Sequence, residues 1–548
     1  MLSHTGTRRS SGLRKIINPL GEIAMKRLLA TVCIFLFSYS IAADEMDGVG
    51  DITFPTSGSA EAQEHFLRGV ATLHSFGWKQ ARTAFQQAQE VDPDFAMAYW
   101  GESLTYNHPL ITEWDLETPK IVLGKLGETT EARLAKAPTA RERGFLVAVE
   151  ALFFGEGDTR ARRTAYMQAM DSLHQRYPYD DEVAAFYALS LLSSAGPAGE
   201  GHRANVKAGA LAMNITARNP RHPGAVHYTI HAFDDPVHAP LALPAAWVFA
   251  DIAAAVSHAR HMPTHIFIQH GMWQQVSDSN QSAYDAAVAL WVPGDMAGDM
   301  THALDWGQYG DLQLGDYDRA ELWIERMEEI VRKNPGQKRI IEALPRVNAR
   351  MILETRKWQM QPITDSSTDP ELLATGISAV HLGDLDRARQ VADKLAAKSA
   401  ALGNNDQSYY AATGKPIAVM HRSVAGMTAI ASGETEKGLA MLQEGVEIAE
   451  SMRPPNGAPN PIKPVHELYG EALFSANRPE EAVTQFNASL ARTPNRPLSL
   501  LGLARSYAAL GDEDSARKAY QQLAEVWKGR GFPVLEEADR YLVTADTD

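Results

Sequence analysis

A separation of 34 residues recurs along this chain, and it constrains the fold more than any other feature of the sequence. His227 and His231 are followed 34 positions later by His261 and His265, a pair with the same internal spacing. A period of this length corresponds to one pair of antiparallel helices, and such units bury their apolar faces by stacking on their neighbours. The chain is therefore predicted to be an all-α array of repeated helix pairs.

A second pattern carries the repeat outside the histidines. The segment HFLRGVATLHSFGWKQARTAFQQAQEVDP (65–93) holds small, aromatic and proline residues at fixed places: Gly69, Ala81, Phe85, Ala88 and Pro93. This spacing resembles the tetratricopeptide repeat (TPR). In that family the small residues let two helices approach closely, the aromatic ring fills the gap between them, and the proline ends the second helix. The resemblance implies a TPR-like solenoid, a superhelix of antiparallel helix pairs with a concave groove.

Further copies of the pattern follow along the chain. They are LGDYDRA (314–320), LGDLDRA (382–388), SGETEKG (432–438), the segment 469–494 and the segment 501–523. Ala482 and Ala516, in the last two copies, again lie 34 positions apart. The resemblance therefore covers most of residues 61–530.

Composition divides the chain into six parts. Residues 1–42 are predicted to be a signal peptide with an upstream extension, and residues 43–60 an extended lead-in rich in Gly, Ser and Asp. The other parts are an N-terminal repeat array with a His-rich segment at 221–271 (61–300), central repeats (301–452), a Pro-rich linker (453–464) and C-terminal repeats (465–548). The prolines of the linker exclude a continuous helix there.

The N-terminal segment has the pattern of a Sec-type export signal. Lys26 and Arg27 precede an apolar run, 28–42, that ends in the small-x-small sequence SIA. Met25 is then the expected start and Ala42 the expected cleavage point. A transmembrane anchor is the weaker alternative, because the run is shorter than the ~20 residues of a span. The mature protein is expected to be periplasmic or secreted, with no transmembrane segment after cleavage.

Charge and cysteine content exclude several classes of function. The formal net charge is −15 and the sequence has no basic patch or run, which argues against nucleic-acid binding. The only cysteine, Cys33, lies in the apolar run of the signal, so the mature chain would have no thiol. Cysteine catalysis is thereby excluded, and a metal site would have to use nitrogen and oxygen ligands.

The His-rich segment contains eight of the chain's 18 histidines. The resemblance implies that His227, His231, His261 and His265 lie on the first helices of adjacent repeats and face the concave groove. Neighbouring helix axes would be roughly 10 Å apart. Imidazole is the commonest neutral metal ligand, and these four, or three of them with Asp234, would suit one transition-metal ion (Zn, Cu or Fe).

Two observations limit that assignment. Pro263 lies between His261 and His265 and is tolerated only in the first turn of a helix, so His261 would precede the helix that carries His265. The sequence HYTIH also lacks the glutamate of an HEXXH metalloprotease motif. The same histidines could instead bind a peptide carboxylate or hydrogen-bond the neighbouring backbone.

Other polar residues are assigned to the groove or to packing. His302 and Asp305 begin the first helix of a later repeat and are expected to extend the ligand-binding groove. Asn280 and Tyr284 are expected to pack between helices. His74 is expected to cap a helix C-terminus, where a partly charged imidazole is favoured by the helix dipole.

Two classes of function remain open. The first is an exported TPR-like binding protein whose groove holds a protein or peptide partner, or a small-molecule substrate, around the histidines. The alternative is a metal-dependent periplasmic enzyme or metal carrier, in which an ion at the four histidines polarises a substrate or activates water. A purely structural role at the cell envelope is a third possibility. Fold class alone does not decide between them.

Overall fold

The fold is seen in a computed structural model, which describes residues 47–110, 115–194, 201–402 and 414–543. Regular secondary structure in these residues is entirely α-helical, and the described residues from Gly48 onward form one compact unit. The all-α fold predicted from the 34-residue period is confirmed. The predicted signal peptide, with its start at Met25 and cleavage at Ala42, lies outside the described residues.

The helices of the described residues fall into four groups along the chain. Those before the His-rich segment are α1 (Ala60–His74), α2 (Trp78–Val91), α3 (Ala96–Leu104), α4 (Glu117–Gly124), α5 (Thr130–Ala135), α6 (Ala140–Phe153), α7 (Thr159–Arg176), α8 (Asp181–Ser194) and α9 (Gly201–Arg218). The second group is α10 (Pro223–Ala232), α11 (Ala239–Ile252), α12 (Ser257–His261), α13 (Pro263–Gln269), α14 (Trp273–Leu290) and α15 (Gly298–Gln313).

The third group comprises α16 (Tyr317–Lys333), α17 (Lys338–Ile341), α18 (Leu344–Thr355), α19 (Asp369–Leu382), α20 (Leu385–Leu402), α21 (Gly414–Ala431) and α22 (Thr435–Glu450). The fourth comprises α23 (Val465–Ser475), α24 (Pro479–Arg492), α25 (Pro497–Leu510), α26 (Glu513–Val526) and α27 (Pro533–Val543). Several of these helices begin on proline, whose missing N–H removes no hydrogen bond in a first turn. Within the described ranges, no helix has both the length and the apolar character needed to cross a membrane.

The first helices of adjacent repeats each carry a glycine that faces the same aromatic ring, which lies on the second helix between them. A Cβ added at Gly69 would lie 2.7 Å from Cε1 of Phe85, and one added at Gly101 would lie 2.3 Å from the same atom. In the C-terminal repeats, a Cβ added at Gly502 would lie 2.1 Å from Cζ of Phe486. Any side chain at these glycines would overlap the ring. The small and aromatic residues recognised in the sequence thus form the packing unit of the repeats.

First helices of adjacent repeats also contact one another, as expected of a TPR-like solenoid. Such contacts join α1 to α3, α19 to α21, α21 to α23, and α23 to α25. Because second helices pack on the first helices before and after them, the array buries apolar faces between repeats, and the buried hydrophobic residues of the described ranges form four clusters.

The array also has contacts between repeats that are far apart in sequence. Nε1 of Trp273, on α14, donates to the carbonyl of Asn495 at 2.9 Å, across 222 positions. Nε1 of Trp527, after α26, donates to the carbonyl of Gln313 at 3.0 Å, across 214 positions. The C-terminal repeats therefore pack against α14 and α15, which differs from a solenoid whose repeats contact only their sequence neighbours.

A buried ion cluster holds this long-range contact. Arg496 is fully buried; its Nε lies 2.7 Å from Glu467 and its Nη2 lies 2.8 Å from Glu354 on α18. Lys463 is a second cation on Glu467, at 2.7 Å. Burial opposes the ionisation of Glu467, but the two cations outweigh it and lower the pKa of this carboxyl far below its usual range. Leaving one of these charges unpaired would be strongly destabilising.

Two segments without helix lie against the His-rich region. In the lead-in before α1, the carbonyl of Gly48 accepts a hydrogen bond from the amide of Ala255 at 2.8 Å. In the Pro-rich segment 453–464, the carbonyl of Pro455 accepts from Nε2 of Gln269 at 3.0 Å. Both segments therefore form part of the surroundings of the histidines on α10, α12 and α13.

Candidate metal centre

Histidines from α10, α12, α13 and α15 converge in the interior of this region. Helix α10 packs on α13, and α12 packs on both α13 and α15. The histidines are His227 and His231 on α10, His258 and His261 on α12, His265 on α13 and His302 on α15. Met262, between α12 and α13, keeps helical angles (φ −55°, ψ −34°). The histidines of α12 and α13 therefore follow the three-and-four spacing of a single helix face.

His227, His231 and His258 form a first group, which we call triad 1. One ring nitrogen of each lies within 4.8 Å of those of the other two. The ring centroid of His227 is 4.7 Å from that of His231 and 5.2 Å from that of His258. Metal–nitrogen bonds of ~2.0–2.1 Å would place the nitrogens about 3.4 Å apart. Small side-chain movements would therefore let all three bind one ion.

His261, His265 and His302 form a second group, which we call triad 2. Their ligand nitrogens also lie within 4.8 Å of one another. The ring centroid of His261 is 5.2 Å from that of His265 and 4.3 Å from that of His302. His261 and His265 are buried, whereas His302 is exposed. Triad 2 thus has the same composition as triad 1 and one ligand that solvent can reach.

Aromatic side chains cover each triad. The ring centroid of Phe76 lies 4.5 Å from that of His227 and 5.3 Å from that of His258. The ring centroid of Trp306 lies 4.4 Å from that of His265. These apolar walls keep water from most of the ring surfaces, as in many sites where a protein tunes a bound metal.

The hydrogen bond of His227 determines which of its nitrogens is free. Nδ1 of His227 lies 2.7 Å from the backbone carbonyl of His74. A carbonyl only accepts hydrogen bonds, so Nδ1 carries the proton and the neutral ring presents the lone pair of Nε2. Proteins usually orient a metal-ligating histidine by a hydrogen bond from the ring nitrogen that does not bind the metal.

Asn280 does the same for His261. Nδ2 of Asn280 donates to the carbonyl of Val276 at 2.7 Å and to Oγ1 of Thr264 at 3.1 Å. The amide oxygen must therefore face His261, whose Nδ1 donates to it at 2.7 Å. Nε2 of His261 is left as the free nitrogen. The expectation that Asn280 only packs between helices is incomplete, since its amide orients an imidazole.

Asp234 completes the set at His265. Nδ1 of His265 donates to Oδ2 of Asp234 at 2.6 Å, and Nε2 of Gln269 donates to the other carboxylate oxygen at 3.2 Å. Burial raises the pKa of Asp234, and the neighbouring His265 opposes that rise. Both oxygens of the carboxylate are engaged, so Asp234 is placed to orient a ligand of triad 2.

Several ring nitrogens of the triads are shielded from water without a hydrogen bond. Among the described residues, none pairs with Nε2 of His227, His231, His258 or His261. A buried polar atom without a partner is unfavourable by about 1–3 kcal/mol. Four such atoms in neighbouring rings need an explanation, and a bound cation at each triad supplies one.

The environment keeps these rings neutral. Burial lowers the pKa of His227 to about 3. Burial and the neighbouring imidazoles hold the pKa values of His231, His258 and His261 well below the ordinary range. Metal binding requires the neutral form of histidine. The rings therefore need not lose a proton near pH 7 to bind an ion.

A third group of titratable residues lies behind triad 1. Nε2 of His74 bonds Glu182 at 2.8 Å, and Nε2 of His222 lies 3.3 Å from the other oxygen of that carboxylate. Nδ1 of His74 pairs with the hydroxyl of Tyr228 at 2.8 Å. His74 pairs with both Glu182 and Tyr228, and His222 lies beside the same carboxylate in a buried polar network. His74 therefore serves as a partner of Glu182, which corrects the expectation that it caps a helix end.

A fourth group lies at the surface and consists of His202, Asp235 and His238. Asp235 accepts from Nδ1 of His238 at 2.8 Å and from the amide of Val237 at 2.9 Å. These hydrogen bonds stabilise a local turn before α11. The carboxylate of Asp235 is therefore engaged there and belongs to neither triad.

The structure places the four histidines predicted as ligands close together, but it divides them between two groups. His227 and His231 lie in triad 1, and His261 and His265 lie in triad 2. A third histidine completes each triad. Sequence reasoning gives His258 no role, although its spacing of three and seven residues from His261 and His265 is a signal that the sequence carries.

The residues predicted to extend the groove have separate places. His302 is the third member of triad 2. Asp305, one turn later, lies 2.8 Å from Nη1 of Arg350. Burial opposes ionisation of Asp305, but the charge of Arg350 outweighs it and lowers the pKa of the carboxyl. Asp305 therefore belongs to a buried ion pair beside triad 2.

A protein-family model matches a segment near the C-terminal end of the described residues. Residues 469–530 match the model of the tetratricopeptide repeat. This segment spans α23–α26, where the Gly502–Phe486 packing occurs. Together with the stacking of first helices, the match shows a TPR-like helical-repeat protein, and the resemblance recognised in the sequence is confirmed. No curated protein matches the chain.

Solved structures of helical-repeat proteins resemble the chain at low identity. The Cut9–Hcn1 crystal structure of an APC/C hetero-tetramer is 12% identical, with 93% of this chain and 81% of that chain covered and a TM-score of 0.32. A human IFIT1 dimer with m7Gppp-AAAA is 11% identical, covering 89% and 93% at 0.33. Yeast Tom70 is 12% identical, covering 89% and 88% at 0.30. Scores this low carry no inference about ligands or partners.

Proposed function

We propose that this chain is a helical-repeat protein that binds transition-metal ions at triads 1 and 2. The observation that carries the proposal is the convergence of six imidazoles in two sets of three, with three of the rings oriented through Nδ1 by His74, Asn280 and Asp234. Three imidazoles with an open fourth position form a common donor set for zinc, and imidazole also suits copper and iron.

The test is metal analysis of untagged protein. The protein is stripped with a chelator, reloaded with zinc, copper or iron, passed through a desalting column and measured by mass spectrometry. Bound metal is expected in the wild type and in a His65→Ala control, whose histidine lies on α1 outside both triads. A His231→Ala, His265→Ala double variant is expected to lose it. Equal metal content in all three proteins, or none in the wild type, would contradict the proposal.

Export is the second part of the proposal. It is supported by the basic pair, apolar run and small-x-small sequence that end at Ala42. A periplasmic or secreted protein would meet metal ions outside the cytosol. N-terminal sequencing of protein recovered from the periplasm of an expressing bacterium is expected to begin at Ala43. Recovery of uncleaved protein from the cytosol alone would contradict it.

Binding of a protein partner, which is usual for tetratricopeptide proteins, is a second candidate function. The observation in its favour is a cluster of exposed apolar residues on and before α11, close in sequence to triad 1: Val237, Leu241, Trp247 and Val248. A photo-crosslinking amino acid at position 241 is expected to capture one recurring protein. The same probe at Ile121, an exposed apolar residue on α4, is the control. Equal capture at both positions would argue against a docking site on α11.

A further inference from the structure

We propose that triads 1 and 2 hold a pair of copper ions that act as one dinuclear centre and take a small anion as a bridge between the ions. This inference rests on the metal binding proposed above. It adds the number of ions, their identity and the class of exogenous ligand.

The two triads lie close to each other. The ring centroid of His231 in triad 1 lies 5.8 Å from that of His265 in triad 2, and those of His258 and His261 lie 6.1 Å apart. Rings within one triad are 4.3 to 5.2 Å apart where they are in contact. The triads are thus almost as close to each other as their own members are. Paired metal ions in proteins are typically ~3.5–4 Å apart.

Helix α12 contributes one histidine to each triad. His258 and His261 both project from α12, one turn apart, yet they belong to different triads. Two ions bound on one helical turn face the same interior space, and each triad supplies only three ligands. The open fourth positions are therefore available to one ligand that both ions share.

The side chains of the two triads supply no negative charge to offset that of the bound ions. All six ligands are imidazoles, and neither triad contains a carboxylate from the described residues. Asp234 is bonded to His265 and Gln269, and Asp305 is paired with Arg350. Two divalent ions this close together repel each other strongly in a site of low dielectric constant, because neither triad supplies a negative charge. A bridging anion relieves that repulsion.

Copper fits these conditions better than zinc or iron does. Cu²⁺ has the highest affinity of the first-row divalent ions for nitrogen donors. Two-metal sites for zinc or iron generally rely on carboxylate ligands, which the triads lack. An all-imidazole pair of sites therefore favours copper.

The surroundings limit the size of the bridging ligand. Phe76 covers triad 1 and Trp306 covers triad 2, while His302 alone among the six side chains is exposed. Because the other five rings are buried or partly buried and aromatic side chains lie against both triads, an anion of a few atoms suits this setting. Hydroxide and azide are anions of this class.

The experiment loads the full-length protein with Cu²⁺ and measures copper per chain, the integrated electron paramagnetic resonance (EPR) signal and the absorption spectrum with azide. Two copper ions per chain, a largely silent EPR signal because the bridged ions couple their spins, and a new azide-to-copper absorption band are expected. A His302→Ala variant, changed at the exposed ligand, is expected to keep one copper with its full EPR signal. His65→Ala should behave as the wild type.

Each other outcome separates the two proposals. Two copper ions with a full EPR signal, or a single copper ion, would overturn the dinuclear centre and leave metal binding intact. Retention of zinc with rejection of copper in direct competition would do the same. No retained metal of any kind would overturn both. Should His302→Ala fail to fold by circular dichroism, His302→Gln provides the same comparison.

Discussion

Replacing His231 by leucine is expected to change stability in opposite senses with and without metal. Nε2 of His231 is shielded from water and has no hydrogen-bond partner among the described residues. Such an atom costs about 1–3 kcal/mol, and an apolar side chain of similar size removes that cost. The metal-free variant should therefore be more stable than the metal-free wild type by about 1–3 kcal/mol.

Metal reverses the advantage. An ion at 100 times its Kd stabilises a folded protein by about 2.7 kcal/mol, and leucine cannot supply a ligand to triad 1. At about 2.1 cal/mol/K of unfolding entropy per residue, 1 kcal/mol corresponds to about 1 °C in a chain of this length. Metal should thus raise the midpoint of the wild type by about 2 °C more than that of His231→Leu.

The assay is differential scanning calorimetry with excess chelator and, separately, with excess metal. His65→Leu is the matched control, because His65 lies on α1 in neither triad. Its midpoint should rise with metal as much as that of the wild type. An equal metal-induced rise in His231→Leu, or a metal-free variant less stable than the wild type, would refute the reasoning.

Three further changes test other parts of the structure. Glu182→Gln should destabilise the protein by about 3 kcal/mol at neutral pH, because glutamine removes a carboxylate that the fold stabilises. Burial opposes ionisation of Glu182, but the neighbouring histidines outweigh it and lower the pKa of Glu182 to about 2. Since that stability is present above pH ~4.3 and lost as pH falls towards 2, the difference from wild type in urea titrations should vanish over that range. Asn280→Leu should weaken metal affinity about 10–100-fold by removing the acceptor of a triad 2 ring, whereas Asn280→Asp keeps that acceptor and should bind within a few-fold of wild type in competition titrations. Gly502→Ala should lower stability to urea by about 1–3 kcal/mol because the new Cβ would lie 2.1 Å from Phe486, while Gly298→Ala, with nothing within 4 Å, should not.

The fold could be predicted from local pattern because its packing unit is local. Phe85 lies 16 positions after one glycine and 16 before the next, so a single helix pair shows the small and aromatic residues that contact each other. The contact of Arg496 with Glu354 has no such signature. It depends on how far the stacked repeats turn before the C-terminal helices meet α14 and α15, and that angle accumulates from many small packing terms.

The candidate site shows the same division. The pairing of His227 with His231 follows from helical spacing alone, and the structure places both on α10. The carboxylate of Asp234 is expected from the sequence to bind metal, and the structure shows it accepting a hydrogen bond from His265, because Asp234 lies just beyond the end of α10. Only the relative rotation of two helices decides whether a carboxylate reaches a metal or the outer nitrogen of a neighbouring imidazole.

The arrangement of the triads explains why equal spacing in the sequence does not give a single site. A helix face supplies two imidazoles at one level, and a third must come from the next first helix in the stack. Triad 1 takes two ligands from α10 and one from α12, and triad 2 takes two from α12 and α13 and one from α15. Each triad therefore takes two ligands from one first helix and its third ligand from the next first helix. Since α12 serves both triads, an ion that fixes His258 also fixes the turn that carries His261, and filling one triad should favour filling the other.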